Sequence, residues 1–264
     1  MSDLKVLIVS HGFPPYAWGG VEAQTLDLAT SLADLGVYVT VCCGGSTNYS
    51  EREDEENLRI VRLPMIDVPP RFLWFQIINR DTLMKEVINS DIIHSQATSF
   101  TINSFFRGLR RPWIVSFHGS PLGDLRVMLK TSPQKWTSGD VGVHILGFPI
   151  WASLNFSELT FSDKFIVCGN SAAQDVISLY GCDKSKMHVI PNGIDFTKFE
   201  KILNNSSPSN DNNGLTLFYS GRLYWRKGIE YLIEAMPLIV KEHKNIILKL
   251  LYLDKLRGKY KANL

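Results

Sequence analysis

The sequence predicts an α/β protein: a parallel sheet wound by helices on both faces, followed by a second, smaller strand–helix unit. Short apolar strands alternate with amphipathic helices along residues 1–195, which is typical of a doubly wound, Rossmann-like sheet. A polar stretch rich in Asn and Ser, ILNNSSPSNDNNG at 202–214, then precedes a strand, a helix and another strand. We therefore expect one domain at 1–195, a linker at 196–214 and a second domain at 215–264.

The predicted strands of the first domain are short and β-branched, and each is bounded by Gly, Pro or charged residues. They are 4–9, 37–43, 58–63, 91–95, 113–117, 164–168 and 187–191. Between the first two, apolar residues recur at helical spacing, and Gly36 follows as a stop signal. After the linker we expect a strand at 215–220, a helix at about 228–242, a strand at 246–251 and a basic tail.

Composition argues against several classes of protein. With 45% hydrophobic and 20% charged residues among 264, the chain has the profile of a globular protein. A net charge of +2 is too small to predict nucleic-acid binding. The four cysteines show no CxxC or Cys/His spacing, which predicts buried thiols in a reducing compartment. The N-terminal apolar run is too short for a signal peptide, so we expect a cytoplasmic protein.

The first strand leads into SHGFPPYAWGGVEA, which lacks the GxGxxG pattern of nicotinamide and flavin sites. Gly19 and Gly20 stand where a helix begins, so an anion or a sugar ring could approach the backbone closely. Glu22 suits the positive end of the helix dipole. The alternative is a tight strand-to-helix turn with an acidic first turn and no ligand.

His118 follows the fifth strand in SFHGS, at the carboxyl edge where parallel sheets bind ligands. It could hydrogen-bond a substrate hydroxyl, and the alternative is a purely structural histidine. The sequence contains no DxD, GxSxG or Cys/His nucleophile pattern, so we predict no metal site, no cofactor and no nucleophilic hydrolase.

The stretch FYSGRLYWRKG, at 218–228, breaks a strand at a glycine and brings three cations into one loop: Arg222, Arg226 and Lys227. Arginine forks and lysine point charges together favour a phosphate. The alternative is a solvated helix start, and Arg226 in particular could face solvent.

These motifs occur in a recognisable order: PP and GGVE, SFHG, a helix starting at Asn170 and Ser171, PNGID at 191–195, the linker and SGRLYWRKG. The order resembles that of the large fourth family of retaining glycosyltransferases, which have the GT-B fold. Members of that family have two Rossmann-like domains facing a cleft. They transfer a sugar from a nucleotide diphosphate to an acceptor with retention of anomeric configuration, and need no metal because cationic side chains stabilise the diphosphate.

The resemblance implies a role for each matching residue. The glycines lie beside the donor phosphates and the acceptor, the histidine contacts the transferred sugar, and the cations neutralise the leaving diphosphate. The implied catalytic residues are His118, Arg222 and Lys227, and the implied donor- or acceptor-binding residues are Gly19, Gly20, Glu22, Asn192, Arg222 and Lys227.

The sequence departs from the family after the cationic loop. Relatives carry further strand–helix units there, with a spaced pair of glutamates that binds the donor. Glu234 and Glu242 have similar spacing, but on one helix they are displaced by roughly two turns and 80°, so we predict solvent-facing charges. The second domain is therefore expected to be partial: either the chain is truncated, or this part docks on the first domain or on another chain. The function stays open between a retaining hexosyltransferase and a non-catalytic acceptor-binding or interaction protein, or one half of a split enzyme.

Two segments bear on the acceptor. FFRGLRRPW at 105–113 combines aromatic and basic residues, and 122–156 is largely apolar, which favours a lipid-linked acceptor and peripheral contact with the cytoplasmic membrane face. The alternative is that Arg107, Arg110 and Arg111 finish a helix, where cations suit the dipole. The acidic EREDEE at 51–56 is expected to be a solvated loop. The implied partners are a nucleotide diphosphate sugar, a sugar or lipid-linked acceptor and a second chain, with no nucleic acid.

Overall fold

The computed structural model of the chain describes residues 4–45, 51–66, 68, 70–96, 98–101, 111–119, 121–136, 141–142, 145, 147–205, 214–221, 223, 227–253 and 260–263. The chain divides into two compact units, Met1–Phe196 and Thr197–Leu264. Compactness does not by itself define a functional domain, so the assignments at 1–195, 196–214 and 215–264 stay predictions.

The first unit contains an eight-stranded sheet. Its strands are β1 (Lys5–Ser10), β2 (Tyr38–Gly44), β3 (Glu51–Asp54), β4 (Leu58–Leu63), β5 (Ile92–Gln96), β6 (Trp113–Phe117), β7 (Lys164–Val167) and β8 (Met187–Val189). Their order is β3-β4-β2-β1-β5-β6-β7-β8, and all neighbours are parallel except β3 and β4. The predicted α/β fold with a parallel sheet is confirmed.

Among the described residues, six helices of the first unit connect these strands: α1 (Gly20–Asp34), α2 (Arg71–Ile78), α3 (Arg80–Ile88), α4 (Pro121–Leu129), α5 (Phe148–Phe161) and α6 (Asn170–Tyr180). Gly181 ends α6 in the left-handed conformation (φ 62°), which glycine adopts without steric cost. Within the described ranges, no helix is both long and apolar enough to cross a membrane.

Both faces of the sheet are buried, which explains why its strands are apolar at consecutive positions. Alternate residues of β1 point to opposite faces and enter separate core clusters, Leu7 and Val9 in one, Val6 and Ile8 in the other. Burial of the thiols is confirmed in part: Cys42 and Cys43 are buried, but Cys168 and Cys182 are only half-buried. None of the four forms a disulfide.

The expectation of a solvated loop at 51–56 is wrong for its first four residues, which form β3 antiparallel to β4. The charge of Glu53 is matched by Arg62, whose Nε donates to Oε1 at 2.7 Å. Arg62 is buried and also donates to the carbonyl of Pro14 at 2.7 Å. Backbone pairing with β4 and the contact between Glu53 and Arg62 thus stabilise a strand that has no apolar residues.

The second unit contains β9 (Leu215–Ser220), α8 (Ile229–Glu242), β10 (Ile246–Leu253) and β11 (Tyr260–Asn263), preceded by α7 (Phe196–Asn205). β10 is parallel to β9 and antiparallel to β11. The predicted strand–helix–strand order is confirmed, whereas the sequence did not predict β11 in the basic tail. The first part of the predicted linker forms α7, and its residues 206–213 lie outside the described ranges. Glu234 and Glu242 are exposed on α8.

Candidate functional site

The carboxyl ends of β1, β5 and β6 form the centre of the candidate site. β1 lies between β2 and β5, so successive strands extend from it in opposite directions, β2 to one side and β5 to the other. Open α/β sheets bind ligands in the crevice at such a switch point, outside the strand ends. The loops that follow these strands carry His11, Gly19, Gly20 and His118, while Gln96 is the last residue of β5.

The start of α1 leaves its backbone accessible. Gly19 precedes the helix in an extended conformation, and its carbonyl accepts the first helical bond from the amide of Ala23 at 3.0 Å. A Cβ atom added to Gly20 would meet no atom within 4 Å, so open space lies beside the first residue of the helix. Amides of a first helical turn have no partner within the helix and can bind an anion or a hydroxyl oxygen.

Glu22 contacts the loop between β1 and α1. A Cβ atom on Gly12 would lie 2.9 Å from Oε1 of Glu22 and 3.3 Å from its Cγ. The carboxylate therefore packs against the bare Cα of Gly12, and a larger residue there would displace it. This contact joins the start of α1 to the end of β1.

His11 connects β1 to the loop after β5. Ser99 Oγ lies 2.9 Å from its Nδ1 and accepts its backbone N–H at 3.2 Å. Burial, with a contribution from the charge of Arg71, lowers the pKa of His11 to about 4, so the ring is neutral at neutral pH. No local sequence pattern predicts a role for His11, because its partner Ser99 lies far along the chain.

His118 belongs to a row of polar residues on one face of β5 and β6. Its Nε2 lies 2.7 Å from Oε1 of Gln96, and Nε2 of His94 lies 2.7 Å from Oγ of Ser116. His94, Gln96 and Ser116 are buried, and His118 is half-buried at the strand end. Burial lowers the pKa of His118, and burial together with the nearby His118 lowers the pKa of His94 to about 4. Polar residues at alternating positions in two apolar strands are the sequence signal that could have found this row.

Glu158 stabilises the loop after β5 through two hydrogen bonds. This fully buried residue of α5 accepts hydrogen bonds at Oε1 from the amide of Thr98 and from Oγ1 of Thr101, both at 2.6 Å. Thr98 has a left-handed backbone (φ 63°), and its carbonyl accepts from Nε2 of Gln76 at 2.6 Å. Burial raises the pKa of Glu158 to about 8 despite these hydrogen bonds, so the carboxyl is largely protonated at neutral pH. No local sequence pattern identifies Glu158 either.

The other predicted site residues are Asn192, Lys227 and Arg222. Asn192 is exposed beyond β8, the last strand of the sheet and two strands from β6. Lys227 is exposed in the second unit, next to Gly228 (φ 67°), after which α8 begins. Arg222, like Arg226, lies outside the described ranges, as do residues 102–110 of the predicted basic segment. In the described part of the chain, no group of three or more His, Cys, Asp or Glu side chains could hold a metal ion.

The sheet defines an open, mostly parallel α/β protein of the kind that binds ligands at its carboxyl strand ends, and sequence comparison identifies the family. Residues 18–198 match glycosyltransferase family 4, which is more than half of the chain, so the chain belongs to this family. The resemblance drawn from the motif order is confirmed at that level.

Relatives and solved structures agree with this assignment. An uncharacterized glycosyltransferase of Methanocaldococcus jannaschii is 25% identical over 253 residues, covering 91% of this chain and 61% of that protein. A glycogen synthase of Mycobacterium tuberculosis is 23% identical over 270 residues, covering 91% and 59%. The chain thus spans about three fifths of the length of these relatives.

The structure of sucrose-phosphate synthase from Thermosynechococcus elongatus superposes with a TM-score of 0.71 at 18% identity, covering 97% of this chain and 64% of that one. At this identity the similarity concerns the fold, which is of the GT-B type with a partial second Rossmann-like unit.

Proposed function

We propose that this chain binds a sugar acceptor and part of a nucleotide diphosphate sugar, and takes part in retaining transfer of a hexose between them. The observation that carries the proposal is that the accessible start of α1 and the half-buried His118 follow the carboxyl ends of β1 and β6, with only β5 between them. Family membership supports sugar transfer as the reaction. A cytoplasmic location belongs to the proposal and is supported by the free thiols.

The proposed roles follow from charge and hydrogen-bonding capacity. The amides at Gly19 and Gly20 bind an oxygen of the donor phosphates or the acceptor. His118 is neutral, so it contributes a hydrogen bond to the sugar and no charge. Cationic side chains are therefore needed to stabilise the leaving diphosphate, and Arg222 and Lys227 are the candidates.

The test is a titration of the 264-residue chain with a panel of nucleotide diphosphate sugars and simple glycosides, followed by NMR. We expect one member to shift the signals of Gly19, Gly20 and His118 together. His118→Ala should weaken binding of that ligand about tenfold, as expected for one lost hydrogen bond. His188→Ala, which alters an exposed histidine on β8, is the control and should leave binding unchanged. A panel that shifts none of the three signals would overturn the proposal.

The surface of helix α5 supports a lipid-linked acceptor. The only ionisable residue of α5 is the buried Glu158, and its exposed side chains include Ile150, Phe156 and Phe161. An uncharged, partly apolar helix surface suits the boundary of a membrane. Co-sedimentation with lipid vesicles should fall for Phe156→Ser, and equal sedimentation of variant and wild type would contradict membrane contact.

A second candidate function, an interaction protein or one half of a split glycosyltransferase, rests on the sheet of the second unit. Phe218 (64% exposed), Ile247 (55%) and Leu251 lie on one face of β9 and β10, where Lys249 is the register partner of Phe218. Exposed apolar faces mark interaction sites. Size measurements over a concentration series test it: association that Phe218→Ser abolishes favours interaction, whereas a monomer at every concentration argues against it.

A further inference from the structure

We propose that Gln96 holds His118 in a single tautomer, with the proton on Nε2, so that the ring offers Nδ1 to the ligand as a hydrogen-bond acceptor. The ligand atom at this position is then a hydroxyl, which can donate, and not an oxygen of phosphate or carboxylate, which cannot. That the hydroxyl belongs to a sugar rests on the proposed function, whereas the tautomer rests on the contact between His118 and Gln96 and on the burial of the ring.

The first step concerns the contact between the two side chains. Oε1 of Gln96 lies 2.7 Å from Nε2 of His118. A carboxamide oxygen only accepts hydrogen bonds, so the hydrogen in this contact belongs to Nε2. In a neutral imidazole the other nitrogen then carries a lone pair. Nδ1 of His118 is therefore a hydrogen-bond acceptor.

The second step concerns why the ring is neutral. His118 is half-buried, and no acidic side chain forms an ion pair with it in the described part of the chain. Burial lowers the pKa of His118, because burial disfavours the charged imidazolium form. His94, the nearby titratable group, is itself buried, and its own pKa is lowered to about 4. The single proton of His118 is therefore the one that Gln96 accepts.

The third step concerns how Gln96 keeps its orientation. Only 2% of its surface is exposed, and it ends β5 opposite Ser116 of β6 in the strand register. Ser116 is engaged by His94 at 2.7 Å. Within the described residues, Nε2 of Gln96 is buried without a hydrogen-bond partner. Buried donors without partners are uncommon, and they are tolerated where an orientation is imposed by function or packing.

Ligand selection follows from the tautomer. A lone pair on a neutral ring repels the lone pairs of a phosphate oxygen and attracts a hydroxyl hydrogen. The accessible amides at the start of α1 can only donate, so they can bind a phosphate oxygen or a hydroxyl oxygen. Selection of a hydroxyl group over an anionic oxygen is therefore a property of the His118 side of the candidate site.

The experiment is a long-range proton–nitrogen NMR correlation on the imidazole rings of the ligand-free chain. We expect His118 to show the Nε2–H tautomer in the wild type and a mixture of tautomers in Gln96→Leu. Gln96→Glu places a carboxylate on the same nitrogen, which favours the imidazolium form, so proton affinity of His118 should rise about tenfold or more. Circular dichroism establishes that each variant is folded.

Ser116→Ala is the matched control, because it removes a buried polar group from the same strand pair without touching His118. It should change the signals of His94 and leave the tautomer of His118 as in the wild type. An Nδ1–H tautomer in the wild type would overturn the proposal, as would a tautomer population that Gln96→Leu does not change.

The ligand half is tested separately with a methyl glycoside and with inorganic phosphate as probes. The glycoside should shift the Nδ1 signal of His118, and phosphate should not. A shift caused by phosphate, or none caused by the glycoside, would contradict the hydroxyl inference. The tautomer result is independent of sugar transfer, so failure of the proposed function leaves it intact.

Discussion

Replacing Glu158 with glutamine should change how the stability of the protein depends on pH. The buried carboxyl has its pKa raised to about 8, whereas the unfolded chain has the ordinary value of 4.5. Between these two values the folded state holds a proton that the unfolded state has released. The free energy of unfolding contributed by this group therefore falls as pH rises through that window, by about 1.4 kcal/mol for each pH unit.

The glutamine variant reproduces the protonated acid. Its side-chain oxygen can accept the hydrogen bonds from Thr98 and Thr101 that Oε1 of Glu158 accepts at 2.6 Å. We expect the variant and the wild type to be similarly stable at pH 4.5. By pH 8 the wild type has lost roughly 4 kcal/mol relative to the variant, from the width of the window and the value of one pKa unit.

Two histidines with lowered pKa values make stability depend on pH in the opposite direction. Their effect cancels when the glutamine variant is compared with the wild type. His11 and His94 have folded pKa values of about 4, below the ordinary 6.5, so their contribution is present above 6.5 and is lost as pH falls toward 4. Both occur in wild type and variant, so their contributions cancel in the difference between the two stability curves.

Urea unfolding at pH 4.5, 6 and 8 measures this difference. Equal slopes of free energy against urea show that the compared states are the same. Glu234→Gln, at an exposed site on α8, is the control for the same change of side chain made without burial. A difference for Glu158→Gln that does not grow with pH would refute the assignment of a protonated, buried acid.

Three further perturbations test the loops of the two units. Arg222→Ala combined with Lys227→Ala should weaken nucleoside diphosphate binding, which we expect near the millimolar range, roughly 4 kcal/mol; calorimetry at low and high salt measures it, and salt-insensitive binding equal in both proteins would rule out an electrostatic clamp. Gly12→Ala should displace the Glu22 carboxylate at a cost below about 1 kcal/mol, because the new methyl group would lie 2.9 Å from Oε1, the flexible end of that side chain; a loss of about 1–3 kcal/mol in urea unfolding would show that the carboxylate cannot move away. Gly228→Ala should cost about 1–2 kcal/mol, since its φ of 67° is unfavourable for any residue with a Cβ; thermal unfolding measures it, and an equal melting temperature would contradict it.

The strands that could be predicted are those whose burial shows directly in their composition. β4, β6 and β9 occupy the residues expected from their apolar runs, at 58–63, 113–117 and 215–220. β3 and β11 escaped prediction because each is a charged or basic segment that pairs antiparallel with a neighbour. Such strands form because another segment of the chain offers backbone hydrogen bonds. The local sequence does not show which segment will pair with them.

The candidate site divides in the same way. Placing His118 at the carboxyl edge of the sheet required only the end of an apolar strand and the rule that parallel strands end at a common edge. Its partner Gln96 lies 22 residues away, Ser99 lies 88 residues from His11, and Glu158 lies 60 residues from Thr98. The roles of Gly19, Gly20, Glu22 and Asn192 in binding stay predictions, as do those of Arg222 and Lys227.

The sequence by itself determined the alternation of strands and helices, the edge of the sheet where ligands are expected, and the family, because strand periodicity and motif order are properties of neighbouring residues. Only the tertiary structure decided which polar groups meet and which of them carry a proton. Glu158 is protonated and His11, His94 and His118 are neutral because distant segments bury them. The free energy of a charge depends on the water and dipoles around it, and these are set only when the chain has folded.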